Sequence, residues 1–270
     1  MSEPAPLPPA LATALSRQRT RLAPHVTDVH YLASTPSTMD VLARLAEEGA
    51  GHGVTLVAGR QTAGRGRRGH AWSSPDGAGL YFSTLVRPPV ASVADGEPSV
   101  LGLLTLAAGL AVAEGIGQAT GLEASLKWPN DLFYGFKIAG VLAEGHHIGT
   151  EAQCVVVGVG INVRDAAYES SRGATSIEKE LGAVPDAGEV LAAVLAAWNA
   201  RYQDLLDAKY GRVVDRWRIR ATGLAGRPVR WHDALGEREG TTTGVDRTGA
   251  LLVDTGQGVV RITAGAVEWQ

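Results

Sequence analysis

Three short apolar runs in the middle of the chain limit the folds that this sequence can adopt. They cover residues 125–128, 138–144 and 154–163, are bounded by glycine, and are rich in branched side chains. Runs of this length and composition are typical of buried central strands. Such strands need helices packed against them, so we expect an α/β fold.

The segments around these runs predict further strands and helices. Strands are expected at residues 29–33, 55–58 and 80–86, and helices at residues 11–22, 37–48, 99–119, 187–206 and 212–221. We expect the Ser37 hydroxyl to cap the free amides at the start of its helix. The longest apolar stretch, residues 101–113, is shorter than the roughly 20 residues that span a bilayer, so it predicts a buried helix and no membrane partner.

Past Thr222 the pattern changes to strands alone. Four short strand-like runs, residues 228–231, 241–245, 250–253 and 259–262, are separated by turn signals at residues 246–249 and 256–258. This spacing predicts a small all-β domain. We therefore divide the chain into an N-terminal extension (1–27), an α/β domain (28–222) and a β domain (223–270). The first 27 residues are too few for a helix-turn-helix DNA-binding module.

Composition narrows the function classes. Apolar residues make up 45% of the chain and charged residues 20%, which is the balance of a globular protein. A formal net charge of −3 argues against a surface dedicated to nucleic acid, so we expect no nucleic-acid partner. The single cysteine excludes an internal disulfide and fits a reducing compartment. With no signal-peptide pattern at the start, we expect a cytoplasmic protein.

The strongest local signal is a loop in which glycines alternate with arginines, from Gln61 to Gly69. Glycine lets backbone amides approach an anion, and a guanidinium can hold a phosphate or carboxylate with two hydrogen bonds. The pattern therefore indicates an anion site. Composition alone leaves open a flexible basic patch or an RNA contact.

Three further signals follow along the chain. Lys127-Trp-Pro-Asn-Asp131 ends a strand with an amide and a carboxylate, although an ordinary turn would look the same. Lys137 is the first residue of an apolar strand, which would place its ammonium at the strand entrance. An exposed lysine at a strand edge would give the same pattern. Gly158 and Gly160 lie inside an apolar run that ends at Asn162, and interior glycines weaken a strand unless a ligand or another backbone approaches closely.

Two other candidates carry less weight. His146 and His147 are adjacent and have no third ligand near them in the sequence, which favours a surface position over a metal site. Cys154 lies in an apolar strand, where a small core residue is expected rather than a nucleophile.

Together, the order and spacing of these motifs resemble the biotin protein ligase family from Thr35 to the end of the chain. The matching motifs are Gly-Arg-Gly-Arg-Arg-Gly followed by Trp72, then Lys-Trp-Pro-Asn-Asp, Lys-x-Ala-Gly-x-Leu-x-Glu and Gly-x-Gly-x-Asn. Ser37 and Thr38 stand where the family has a Ser-Thr pair that contacts biotin. Met39 departs from the pattern, because Asn commonly follows that pair. Family members that repress transcription carry an N-terminal winged helix, which we expect to be missing here.

The resemblance implies a fold and an activity. The fold is a mixed sheet with packed helices, similar to the catalytic core of class II aminoacyl-tRNA synthetases, followed by a small SH3-like β-barrel. The activity is ATP-dependent formation of biotinyl-adenylate, with Mg²⁺, and transfer of biotin to a lysine of a biotin carboxyl carrier protein. The alternatives are a lipoate or octanoate ligase of the same fold and a non-catalytic biotinyl-adenylate-binding protein. A monomer and a homodimer both remain open.

The resemblance also implies roles for individual residues, whereas the metal ligands stay unknown. The expected catalytic residues are Lys137, Arg65 and Asp131. The expected biotin contacts are Ser37, Thr38, Gln61, Gly64, Arg65, Arg67, Lys137, Gly140 and Gly158. The expected ATP or adenylate contacts are Arg65, Arg67, Arg68, Trp72, Lys127, Asn130, Asp131, Gly160 and Asn162. For Trp72, stacking on adenine and a place in the core are equally good interpretations.

Overall fold

The centre of the protein is a mixed sheet that seven strands form within the described part of the chain. The computed structural model describes residues 5–90, 96–166, 168, 173–233, 236–263 and 267–270. The strands are β1 (Val29–Thr35), β2 (Thr55–Gln61), β3 (Gly79–Val86), β4 (Ser125–Lys127), β5 (Asp131–Tyr134), β6 (Phe136–His146) and β7 (Cys154–Asn162). Their order is β1-β2-β3-β7-β6-β5-β4, with β1 and β2 parallel and the other neighbours antiparallel. The expected mixed sheet is confirmed.

The two faces of this sheet have different partners because side chains alternate along each strand. On β7, Val155, Val157, Val159 and Ile161 face the main hydrophobic core. That core also contains helices α1 (Pro9–Arg17), α2 (Arg19–Leu22), α4 (Val100–Thr120), α6 (Ala187–Leu206) and α7 (Tyr210–Arg220). The alternate positions of β7 face the other side, where α3 (Thr38–Glu47) packs against one end of the sheet. The rest of that second face is left for a site.

Helix α4 is the buried helix that the apolar stretch predicts. By length and composition it could cross a membrane, but 67% of its most apolar stretch is buried inside the protein. It lies between the sheet and α6. At Gly115 the two helices approach so closely that an added Cβ would lie 2.4 Å from the Val194 Cα, which explains the glycine. Its apolar character therefore serves the core.

The C-terminal segment forms a second sheet of five antiparallel strands among the described residues. These are β8 (Pro228–Asp233), β9 (Gly236–Val245), β10 (Leu251–Asp254), β11 (Val259–Ile262) and β12 (Val267–Trp269), in the order β11-β10-β9-β8-β12. The buried Trp128 joins the two parts of the protein, because its Nε1 donates to the Gly249 carbonyl over 2.9 Å. The expected β-rich tail is confirmed, while its SH3-like class and the boundary at residue 222 stay predictions.

Several local expectations need correction. The helix expected at residues 11–22 is interrupted at Gln18, and three short elements were not predicted: β5, β12 and α5 (Ile177–Leu181). The loop expected from Gln61 begins only after that residue, because β2 extends through Gln61. Ser37 precedes α3 as expected, but its hydroxyl caps no amide. The Gln61 side chain takes that role, since its Oε1 accepts from the Thr38 amide over 2.8 Å.

Candidate active site

A cavity of about 510 Å³ opens on the face of the sheet that α3 leaves uncovered. Its volume lies within the range of about 300–1,000 Å³ that small-molecule sites occupy. The predicted site residues that line it are Ser37, Thr38, Gln61, Arg65, Arg67, Arg68, Trp72, Lys127, Asn130, Asp131, Lys137, Gly140, Gly158 and Gly160. Residues from five separate motifs therefore meet in one place.

Glycines form the floor of the cavity. Gly140 on β6 pairs with Gly160 on β7, and Leu142 pairs with Gly158. An added Cβ would lie 2.3 Å from the Trp72 Cε2 at Gly160 and 2.6 Å from the Met39 Sδ at Gly158. Both distances are far below normal contact, so the glycines are needed for these side chains to lie on the strands. A close approach does occur at these interior glycines, but the approaching groups are side chains of the protein and not the expected ligand or backbone.

Trp72 belongs to the wall of this cavity and not to the helix-packed core. It is half-buried, and its Nε1 is shielded from solvent without a hydrogen-bond partner among the described residues. The interpretation of Trp72 as a core tryptophan is therefore wrong. Its stacking on adenine stays a prediction.

The Gly-Arg segment crosses the cavity as a small hairpin from Gly64 to Trp72, which we call the strap. The Trp72 amide donates to the Gly64 carbonyl over 2.9 Å, and the Gly66 amide donates to the His70 carbonyl over 2.7 Å. An added Cβ at Gly64 would lie 2.5 Å from the Trp72 carbonyl oxygen, so the base of the strap requires glycine there. The tip is a 3-10 turn at Arg67–Gly69.

Two cations anchor the strap at its two sides. Arg65 forms a two-pronged pair with Glu144, at 2.8 and 2.7 Å, and its Nη2 also lies 2.7 Å from the Asp40 Oδ1. The hydrogen bond to Glu144 is the main reason why the pKa of the Arg65 guanidinium is raised. On the other side, Arg67 Nη1 donates to the Asn130 Oδ1 over 3.2 Å. Burial lowers the pKa of Arg67, which indicates a less hydrated cation than Arg65.

Lysines complete the cationic lining. Lys137 Nζ lies 2.7 Å from the Asp131 Oδ1 and 5.2 Å from the centre of the Trp72 ring. Lys127 Nζ lies 5.2 Å from the Phe133 ring centre and 5.1 Å from that of Trp269. Both lysines line the cavity that Arg65, Arg67 and Arg68 also line. The arrangement can hold phosphates and carboxylates close together.

The end of the cavity beside α3 is polar and largely buried. The Thr38 hydroxyl lies 3.1 Å from the Gln61 Oε1 and 2.8 Å from the Ser83 hydroxyl, and Gln61 Nε2 donates to Ser74 over 3.0 Å. Ser37 is only 1% exposed, and its hydroxyl has no hydrogen-bond partner among the described residues. A buried hydroxyl without a partner costs stability, so this end suits a ligand that supplies a donor or an acceptor.

Two predicted site residues do not line the cavity. Gly64 lies at the base of the strap, as described above. Asn162 is buried, and its Nδ2 contacts the Thr175 and Lys137 carbonyls over 2.9 and 3.4 Å. Asn162 thus fixes the backbone that carries Lys137. Its expected contact with ATP stays a prediction.

The sequence reasoning missed several residues of the site. Asp40 and Glu144 hold Arg65, and Val267, Glu268 and Trp269 of β12 line the cavity. Glu144 had a signal, because it ends the Lys-x-Ala-Gly-x-Leu-x-Glu motif and shares a strand face with Gly140. The residues of β12 had none, because their approach depends on the packing of one sheet against the other.

No group of three or more His, Cys, Asp or Glu side chains that could hold a metal occurs among the described residues. His147 is exposed and His146 is partly buried, and the expectation that they form no metal site stays a prediction. Cys154 is buried beside α3, and burial raises the pKa of its thiol. It is the small core residue that its apolar strand predicts.

The fold and the site define a protein with a cation-lined cavity on a mixed sheet, which suits anionic small molecules. The sequence profile described as the Biotin/lipoate A/B protein ligase family matches residues 31–162. The biotin--[acetyl-CoA-carboxylase] ligase of Mycobacterium tuberculosis is 37% identical over 243 residues, which cover 87% of this chain and 86% of that protein. The ligase of the same name from Paracoccus denitrificans is 37% identical over 231 residues, or 82% of this chain and 92% of that protein.

A solved structure agrees with these relatives. The biotin protein ligase from Aquifex aeolicus in complex with biotin and ATP superposes with a TM-score of 0.75 at 30% identity, covering 90% of this chain and 99% of that chain. The protein belongs to the biotin protein ligase family.

Proposed function

We propose that this enzyme activates biotin with ATP as biotinyl-adenylate and transfers the biotinyl group to a lysine of a biotin carboxyl carrier protein. In the first step a biotin carboxylate oxygen attacks the α-phosphorus of ATP, and pyrophosphate leaves. In the second step the amine of the carrier lysine attacks the biotinyl carbonyl, and AMP leaves. The observation that carries the proposal is the single cavity in which Lys137 and the strap arginines meet a buried polar end.

The first step joins two anions, so the site must supply positive charge. Two unit charges at about 4 Å repel by roughly 1 kcal/mol in water and by about 4 kcal/mol near a protein surface. Lys137, Arg65 and Arg67 line the same cavity, which supports their joint role against this repulsion. Fixed cations stabilise developing charge without reorganising during the reaction.

We assign the individual roles from position. Lys137 bridges the biotin carboxylate and the α-phosphate, and Asp131, 2.7 Å from its Nζ, orients the ammonium. Arg67, Arg68 and Lys127 hold phosphates. The strap lies over the cavity and keeps out water that would hydrolyse the adenylate.

The polar end beside α3 receives the ring of biotin. Ser37, Thr38 and Gln61 offer hydroxyl and amide groups there, and Ser37 has an unused buried hydroxyl. The apolar part of biotin lies beside Met39, whose thioether covers Gly158 and stands where the family commonly has an amide. Trp72 and Gly160 border the adenylate.

Magnesium fits this site only together with ATP. Mg²⁺ usually binds one or two carboxylates and the phosphates of a substrate, and it keeps several waters. Asp131 offers one carboxylate in the cavity, and the described residues hold no cluster that could bind a metal alone. When bound, the ion would neutralise phosphate charge.

The curated relatives from Mycobacterium tuberculosis and Paracoccus denitrificans are named for acetyl-CoA carboxylase, which supports a carboxylase carrier as the protein substrate. We propose that the carrier lysine enters beside the strap, where the Asp131 carboxylate can accept a hydrogen bond from its amine and orient it. A cytoplasmic location, the oligomeric state and the absence of a nucleic-acid partner stay predictions.

The test is exchange of labelled pyrophosphate into ATP by the purified protein, with biotin, lipoate or octanoate as the acid. We expect exchange that depends on biotin, followed by a mass increase of one biotinyl group on a biotin carboxyl carrier domain. Exchange with lipoate or octanoate and none with biotin would identify a ligase of the other substrate class. Tight binding of biotinyl-adenylate without exchange would identify a binding protein.

A further inference from the structure

We propose that Glu144 and Asp40 are positioning residues that hold Arg65 and thereby keep the strap closed over the cavity. The measurement of adenylate release rests on the proposed function. The position of the strap rests on the geometry alone. The two acids contact Arg65, do not line the cavity and have no role in the chemistry described above.

The three side chains come from three different elements. Arg65 is the second residue of the strap, Glu144 lies near the end of β6, and Asp40 lies in the first turn of α3. The Arg65 Nη1 and Nη2 atoms each donate to one Glu144 oxygen, at 2.8 and 2.7 Å, and Nη2 lies 2.7 Å from Asp40. The strap is therefore joined both to the sheet and to the helix that begins at the polar end.

The geometry of this contact sets it apart from an ordinary surface ion pair. Exposed pairs often contribute little, but a two-pronged arginine–carboxylate contact is the geometry in which they contribute most. The side chains are 39%, 32% and 54% exposed for Arg65, Glu144 and Asp40, so the contact is shielded on part of its surface. The contact attaches the strap to β6 and to α3. Its loss would therefore free the strap at that side.

The contact with the two acids leaves only some of the Arg65 N–H groups available to a ligand. A guanidinium has five N–H groups, and three of them are engaged by the two carboxylates. The acids therefore fix the plane of Arg65 and restrict the donors that a ligand in the cavity can meet. On the opposite side, Arg67 and Asn130 provide the second attachment.

The first experiment needs no substrate. Limited trypsin digestion of the ligand-free protein, followed by mass spectrometry, measures cleavage after Arg67 and Arg68 in the strap tip. We expect Glu144→Gln to be cleaved about tenfold faster there, and Asp40→Asn to a smaller extent, since tenfold corresponds to about 1.4 kcal/mol. Glu48→Gln, an exposed carboxylate beyond the other end of α3, is the matched control and should be cleaved like the wild type. Wild-type cleavage of Glu144→Gln, with an unchanged melting temperature, would overturn the proposal.

The second experiment measures how fast biotinyl-adenylate leaves the enzyme. We expect release from Glu144→Gln to be about tenfold faster, and release from the double variant Arg65→Ala/Glu144→Gln to equal that from Arg65→Ala alone, because Glu144 acts only through Arg65. Wild-type release should accelerate between about 50 mM and 0.5 M salt, and this dependence should be smaller in Glu144→Gln. Additive effects in the double variant would contradict the proposal. A wild-type protein that forms no adenylate would refute the proposed function, and the trypsin experiment would still decide the role of the strap contact.

Discussion

Replacement of Gly160 by alanine tests whether the glycine floor positions Trp72. The added Cβ would lie 2.3, 2.4 and 2.6 Å from three atoms of the Trp72 indole, whereas ordinary contact begins at 3.4 Å. The ring must therefore move by about 1.1 Å, the difference between 3.4 and 2.3 Å. Trp72 ends the strap and is half-buried, so the strap moves more easily than the central strands.

Overpacking of this kind costs about 1–3 kcal/mol. We expect this cost to oppose the position of Trp72 that binds the ligand. At about 1.4 kcal/mol for each tenfold, it corresponds to a loss of roughly 5- to 150-fold in kcat/KM. The melting temperature should change little, because the displaced ring lies outside the helix-packed core.

The assay is biotin-dependent pyrophosphate exchange, measured with both substrates varied. Gly109→Ala in α4 is the control, because its Cβ would make an ordinary contact of 3.5 Å with Leu126 and no contact with the cavity. We expect wild-type exchange from this control. Equal kcat/KM in Gly160→Ala and the wild type would refute the argument that the glycine is needed to seat Trp72.

Two further predictions concern stability. Trp128→Phe removes the indole N–H that donates to the Gly249 carbonyl, so urea unfolding should show a loss of about 1–3 kcal/mol, and an unchanged midpoint would contradict a structural role for that bond. Burial is the main cause that lowers the pKa of His52 below its usual 6.5, and the nearby His25 and Arg87 contribute less. Because the unfolded chain then binds the proton more tightly, the stability due to neutral His52 is present above about pH 6.5 and is lost as the pH falls. Urea unfolding at about pH 7.5 and pH 5.5 should show a smaller acid loss for His52→Gln than for the wild type, and equal losses would exclude His52 as the cause.

The sequence predicts those parts of the fold that depend on local pattern. The central strands, α4 and α6 follow from apolar runs and helical periodicity, and the structure contains them with shifts of a few residues at their ends. The short elements β5, β12 and α5 carry too few residues for a periodic signal. Their formation depends on pairing with neighbours, as when Val267 of β12 pairs with Trp231 of β8.

The candidate site shows the same division. Glycine and arginine composition identifies the strap, and the resemblance to a family brings most of the lining residues together. Composition cannot predict that Gln61 instead of Ser37 caps the first amide of α3, because that contact joins β2 to a distant helix. Nor can it predict that Arg65 is held by Asp40 and Glu144, since an arginine in a glycine-rich loop has many possible partners.

The central claim is that fixed cations in one cavity let a carboxylate reach a phosphate. Lys137→Ala tests it most directly, measured as pyrophosphate exchange at saturating biotin and ATP, with Lys209→Ala, an exposed lysine that does not line the cavity, as the control. We predict that exchange falls by about 100- to 1,000-fold in Lys137→Ala, the loss typical of removing one preorganised charge-stabilising donor, and stays normal in the control. Exchange by a folded Lys137→Ala protein at the wild-type rate would contradict the claim.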